Sequence, residues 1–182
     1  MRMPRLRAAL LVLAIAASPL PRAAHSGSKQ LTLTVAAAIT PGCRLGSGQA
    51  DVSTYGVLDL GTVANLEQAI FASSSVGAGT IVVNCTPGTD YRISLNDGLW
   101  SDSAGGAGRR LKNSTSSGNA FLPYYLFQDA GYSKIWADGT FAKSGLAKGG
   151  PEEFPVYILV EEASIAIPPG VYTDTVLVTV SY

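Results

Sequence analysis

Residues 170–182 read GVYTDTVLVTVSY, and from Thr175 onward the side chains alternate in character. Val176, Val178, Val180 and Tyr182 fall on one face; Thr175, Thr179 and Ser181 fall on the other, with Leu177 the exception. A period of two carried by β-branched residues predicts a strand with one buried face. A strand in last position either lies inside a finished sheet or leaves an edge that something else must cover. The expectation is that the cover comes from the N-terminal segment of another copy of the chain.

The rest of the composition agrees with short strands and turns. The 182 residues include 20 Gly and 10 Pro, and only 14% are charged. Such a chain is expected to form one all-β domain plus appendages. Its start reads as a secretory signal, residues 1–26: Arg2, Arg5 and Arg7 precede an apolar run over 8–17 that is too short to span a bilayer. Ala24-His25-Ser26 fits the small-x-small cleavage rule, and a cut after Ala24 fits nearly as well. Losing Arg2, Arg5, Arg7 and Arg22 would leave 13 − 4 = 9 basic residues against 13 acidic, a net charge of −4. A mildly acidic secreted domain is a poor partner for nucleic acid. No second apolar run of about 20 residues follows, so no membrane anchor is expected.

Cys43 and Cys85 are the only cysteines, and both lie in the exported part. In an oxidising compartment they are expected to pair, closing a loop that stabilises by ~4 kcal/mol in the chain-entropy account. The rival, a reactive or metal-binding thiol, has no CxxC spacing and no nearby histidine.

Residues 31–39 (LTLTVAAAI) form a second alternating run, with Leu31, Leu33, Val35, Ala37 and Ile39 on one face. Pro41-Gly42 breaks it just before Cys43. Further strands are expected around residues 55–60, 80–85, 91–95, 121–128 and 154–161. Residues 80–85 and 91–95 are read as the two arms of a hairpin about Pro87-Gly88. Residues 64–78 read as a helical turn or an irregular connection, and 109–112 as a short edge strand or its approach. Pro123 is placed at a strand start or on an edge because it cannot donate to a ladder. Residues 101–108 and 142–151 are read as loops. About seven strands after Cys43 suit an immunoglobulin-type sandwich.

The second half also carries a family likeness. Arg109-Arg110-Leu111-Lys112-Asn113, the run Leu122-Pro123-Tyr124-Tyr125-Leu126-Phe127-Gln128-Asp129, Trp136-Ala137-Asp138-Gly139 and Ile167-Pro168-Pro169-Gly170-Val171-Tyr172-Thr173-Asp174-Thr175-Val176 together resemble the spore coat protein U domain. Cys43 and Cys85 also fall where that family places its cysteines, and the likeness covers roughly residues 30–182. Domains of this family are similar to subunits of archaic chaperone–usher pili. The resemblance implies an immunoglobulin-like β-sandwich lacking one strand, completed by donor-strand complementation. It implies a periplasmic chaperone, an outer-membrane usher and other copies or related subunits as partners. Leu31, Leu33, Val35, Ala37 and Ile39 would be the donor strand within a 27–39 extension. Val176, Val178, Val180 and Tyr182 would bank the acceptor groove of a 40–182 domain. Ala36, Ala37 and Ala38 make the second half of that donor small.

Chemistry has few candidates. The single histidine, His25, sits at the signal junction, so Ser–His–Asp and Cys–His catalysis and a zinc site lack their imidazole. Glu152-Glu153 and Glu161-Glu162 are adjacent pairs whose members point to opposite faces of a strand, which suits solvated charges better than glycosidase work. Residues 105–110 (GGAGRR) lack the Lys-Ser/Thr and helix of a phosphate loop. Asn84-Cys85-Thr86 and Asn113-Ser114-Thr115 match a glycosylation sequon by chance in a bacterial-looking chain. Trp100 and Trp136 are weighed as sugar platforms against sandwich aromatics, and the latter is favoured. These residues point to no enzyme and no cofactor, and the resemblance implies a surface-fibre subunit assembled through the periplasm and supporting attachment and biofilm. Two alternatives stay open: a tip adhesin binding through loops 101–108 or 142–151, and a monomer whose own residues 31–39 fill its groove.

Overall fold

In a computed structural model of the chain, residues 27–115, 120–163 and 167–182 are described. The expected signal, residues 1–26, lies outside them. The chain divides into Met1–Ala37 and Ala38–Tyr182. Between residues 27 and 42 there is no strand, and the predicted strand over 31–39 is absent. The physical reason is that alternation alone makes no ladder: a strand persists only where neighbouring main chain completes its hydrogen bonds.

The second unit is all-β: among the described residues there are eleven short strands and one 3-10 turn, Gly139–Phe141. The strands are β1 (Cys43–Leu45), β2 (Ile70–Ser73), β3 (Ile81–Cys85), β4 (Asp90–Leu95), β5 (Arg110–Asn113), β6 (Phe121–Phe127), β7 (Lys143–Leu146), β8 (Pro151–Phe154), β9 (Tyr157–Val160), β10 (Tyr172–Thr173) and β11 (Val178–Ser181). Three antiparallel arrays run β1-β3-β8, β10-β5-β6-β9-β2 and β11-β4-β7. The first two are one sheet interrupted. Strand β8 pairs with β3 from Ile81↔Phe154, and β9 pairs with β2 from Ser73↔Tyr157. Pro155 breaks the ladder between β8 and β9, since it has no N–H to give. At the next residue the Val156 N–H donates to Ser74 Oγ at 2.7 Å. The sheet so formed curls, and residues 172–181 pass from β5 to β4, closing an immunoglobulin-like sandwich.

Several sequence expectations change. Strands β3 and β4 do not pair; the turn at Pro87-Gly88 carries the chain from one layer to the other. Their apolar residues explain it, because Ile81, Val83 and Cys85 meet Tyr91, Ile93 and Leu95 across one core rather than along one sheet. Residues 55–60 form no regular strand, 64–78 contain β2, and 142–151 contain β7. Strand β5 is internal, with β10 as the edge. Pro123 lies inside the internal strand β6. The Tyr124 N–H points to β5, where Arg109 O accepts it at 3.0 Å. Period two turns the Pro123 nitrogen toward β9, one residue before that ladder begins at Tyr124↔Val160, so no donor is missed.

Trp136 and Arg109 anchor the interior, each with no exposed surface. The Trp136 Nε1–H donates to Ile93 O at 3.0 Å. The Arg109 guanidinium donates to Leu95 O at 3.1 Å, to Asn96 O at 2.6 Å and to Trp136 O at 2.9 Å. It thereby ties the end of β4 to the segment before β5. Desolvation lowers its pKa, while Tyr124, Asp97 and Asp174 act the other way. Replacing it by Met leaves three inward carbonyls without their donor. Arg109→Met is expected to cost about 2–3 kcal/mol in denaturant unfolding; a loss near zero would show that water takes its place at no cost.

Candidate functional site

Every strand edge in this fold needs a partner or a block, and the edges differ in how they meet that need. Edge strand β1 is covered at Leu45, whose N–H donates to Asp51 Oδ1 at 2.7 Å and whose carbonyl accepts from Val52 N–H at 3.0 Å. Edge strand β2 is flanked by a segment tied at both ends, through Gly79 N–H to Tyr55 O and Ala163 N–H to Leu66 O. Leu58, Leu60 and Leu66 of that segment pack on the core. Burial and the nearby Asp51 push the Tyr55 hydroxyl up to about 12. Strand β7 carries Lys143 on its edge, and β10 is only two residues long.

Strand β11 has none of these devices. It pairs with β4 in the register Val178↔Leu95 and Val180↔Ile93, and among the described residues nothing pairs with its other edge. The direction of its main chain follows from Leu177. The carbonyl of Leu177 accepts from Asn96 N–H at 3.0 Å, and its N–H donates to Asn96 Oδ1 at 2.8 Å. Period two then turns the N–H and C=O of Val178 and Val180 outward, away from β4. From Thr175 to the last residue there is no Lys, Pro or charged side chain to blunt the edge.

The inward side chains of the same strand are only half-covered. Val176, Val178 and Val180 are half-buried and pack against it, while Thr175, Leu177, Thr179 and Ser181 are exposed. The alternation read in the sequence is therefore present, with Leu177 on the outer face and 63% exposed. Tyr182 lies beyond β11 and is 65% exposed.

Topology locates the other bank. Strands β3 and β4 face one another at the centre of their arrays. On one side β7 faces β8: Lys143 Nζ sits 5.5 Å from the Phe154 ring centroid, and Tyr91 of β4 donates to Glu152 Oε2 at 3.4 Å. Strands β1 and β11 are thus left together on the opposite side. From β1 come Cys43 and Leu45, also half-buried against the core. The half-buried apolar side chains of β11 and β1 thus flank the same core from two layers, a stretch called the furrow below, and among the described residues the outer main chain of β11 is unpaired.

The furrow's ends are held firmly. Cys43 and Cys85 form a disulfide across the β1–β3 ladder in the register Cys43↔Cys85, the pairing expected of the chain's two cysteines. Residues 40–42 are fixed beside it, with Thr86 N–H donating to Gly42 O at 2.8 Å. At the far end of β11, Asp174 accepts from Tyr124 Oη–H at 2.6 Å and from Leu99 N–H at 2.8 Å. Burial, then the Asp174 hydrogen bond, pushes the Tyr124 phenol far above its ordinary range. Sequence reasoning missed both Arg109 and this Tyr124–Asp174 clamp. The Arg109-Arg110 pair gave no usable signal, since adjacent charges on opposite faces suit solvated positions equally well.

The five residues read as a donor are also placed. Leu31 is 98% exposed, Leu33 and Val35 are each 85% and Ile39 is 87%, and Ala37 is exposed with them. Trp136 is buried and Trp100 half-buried. Among the described residues no group of three or more His, Cys, Asp or Glu is placed to hold a metal ion, and no described helix is long and apolar enough to cross a membrane.

Comparison with known proteins agrees with the likeness read from the motifs. Residues 29–179 match the model of the Spore Coat Protein U domain family. Protein U of Myxococcus xanthus is 27% identical over 174 residues, spanning 92% of this chain and 90% of that protein. Among solved structures, the CsuC–CsuE chaperone–tip adhesion subunit complex of the archaic chaperone–usher Csu pili of Acinetobacter baumannii is similar with a TM-score of 0.47 and 23% identity. That match covers 79% of this chain and 40% of the other, so this chain spans less than half its length. The P pilus rod subunit PapA gives a TM-score of 0.49 at 18% identity, over 77% of this chain and 98% of that subunit. With 151 of its 182 residues inside the family match, the chain belongs to the Spore Coat Protein U domain family.

Proposed function

We propose that this protein is a structural subunit of a secreted surface fibre that polymerises by donor-strand exchange. Residues 27–39 of one copy insert into the β11–β1 furrow of the next. The observation that carries this reading is the unblocked β11 edge, where Val178 and Val180 present outward main chain beside half-covered side chains. An incoming strand satisfies both deficits at once, as in other cases of strand addition. The chain supplies a strand of the right kind in residues 31–39, whose apolar residues at every second position are exposed.

On this reading residues 1–26 are a removed signal, 27–39 the donor extension and 40–182 the pilin domain. Leu31, Leu33, Val35, Ala37 and Ile39 enter the furrow beside Val176, Val178 and Val180, and Tyr182 closes its end. A periplasmic chaperone holds the furrow before an outer-membrane usher passes the subunit to the surface, where fibres serve attachment and biofilm. The role is structural rather than enzymatic. A carboxylate placed mid-donor must be desolvated with no partner. Leu33→Asp is therefore expected to cut the SDS-resistant ladder of unboiled protein by more than about tenfold. An unchanged ladder would mean that this segment is not the strand exchanged.

A further inference from the structure

A second site lies apart from the furrow, on the outer face near β5 and β10. Trp100, Lys112, Asn113, Ser114 and Thr173 line an open concavity of about 260 Å³. The Lys112 ammonium sits 4.1 Å from the centroid of the Trp100 ring. Among the described residues it has no carboxylate partner, whereas neighbouring Arg110 is paired with Asp102 at 3.0 Å. Trp100 is itself fixed, because its carbonyl accepts from Arg110 Nε–H at 2.9 Å.

An ammonium carries three N–H donors, and an indole face engages only one side of it. The remaining donors are free for a ligand in the concavity, which Ser114 and Thr173 also line. Ser114 Oγ donates its proton to Val171 O at 2.9 Å and so is left as an acceptor, and the exposed Thr173 adds a hydroxyl that donates or accepts. The floor is rigid: Asn113 is buried, and its Oδ1 accepts from Thr115 N–H at 2.9 Å. A pinned cation beside an aromatic ring and two hydroxyls selects for an anion carrying a polyhydroxylated body. We propose that this concavity binds a carboxylated sugar, one uronate residue of an acidic polysaccharide, with its carboxylate on Lys112 and its hydroxyls on Ser114 and Thr173. The site does not depend on the donor-strand reading, since no furrow residue lines it.

The test is calorimetric titration of the full exported chain with oligogalacturonate, with a neutral galacto-oligosaccharide and with citrate, alongside tryptophan fluorescence. Trp136 is buried, so a change in emission on binding reports Trp100. Oligogalacturonate is expected to bind at least tenfold more tightly than either control. Lys112→Met should lose that tenfold, and Lys112→Arg should retain binding. Should Lys112→Met fail to fold, Thr173→Val at an exposed position is expected to weaken oligogalacturonate binding several-fold and leave the weak citrate response unchanged. Equal binding of citrate would overturn the proposal by reducing the site to a bare cation. Equal binding of the neutral sugar, indifference to Lys112→Met or Thr173→Val, or no heat at millimolar oligogalacturonate would overturn it as well.

Discussion

Bacteria expressing the chain without residues 27–39, but with its export signal kept, are expected to show no fibres by electron microscopy. The magnitude follows from the furrow. Four large apolar side chains, Leu31, Leu33, Val35 and Ile39, each stabilise by ~1.5–3 kcal/mol when buried, and Ala37 adds little. Roughly 6–12 kcal/mol results, before main-chain pairing with Val178 and Val180 is counted. That is comparable to the stability of a whole domain, so on the proposed donor role the deletion would remove the bond between subunits rather than weaken it. The truncated subunit should instead accumulate bound to its chaperone or aggregate through the bare edge of β11. Fibres of normal number and length would show that the segment has no part in assembly.

Replacing Cys43 and Cys85 together by serine is expected to cost about 4 kcal/mol of unfolding free energy. The bridge closes a loop across a sequence separation of 42 residues. Its larger consequence is local. Strand β1 has only three residues in register with β3, and it forms the bank of the furrow opposite β11. Without the covalent tie, β1 is held by its short ladder, by the Leu45 contacts and by the flanking bonds from Thr86 N–H to Gly42 O and from Gly46 N–H to Val82 O. The double variant should therefore melt lower, and it should also assemble more slowly at temperatures where the body is still folded. Equilibrium unfolding measures the first effect and the rate of ladder formation the second. A double variant with wild-type stability would mean that the ladder and the core already fix β1.

Much of this arrangement is legible in the sequence, because burial is written as alternation. The Val176, Val178 and Val180 face, the Cys43–Cys85 pairing and the core placement of Trp136 all follow from period, compartment and composition. What alternation cannot specify is the partner of a strand. Residues 80–85 and 91–95 look like hairpin arms about Pro87-Gly88, and a turn joining two sheets demands the same residues as one joining two strands. Residues 31–39 alternate as well as any strand in the body, yet form none within it, because alternation states which side chains seek cover and not where the cover lies. The furrow was legible only as a deficit. Its second bank required the topology, which sets β1 opposite β11 through the facing pairs β3–β4 and β7–β8. Arg109 was hidden for a different reason: a buried guanidinium satisfied by main-chain carbonyls leaves no pattern in the side chains around it.

The central claim is that the sandwich has a strand-shaped vacancy alongside β11. Thermal melting of residues 40–182, alone and with a peptide spanning residues 29–40, tests it most directly. Peptide at a hundred times its Kd stabilises by about 2.7 kcal/mol and is expected to raise the melting temperature by about 5 °C or more, with new amide protection at Val178 and Val180. A soluble, heat-stable monomer whose melting temperature does not move with peptide would contradict the account.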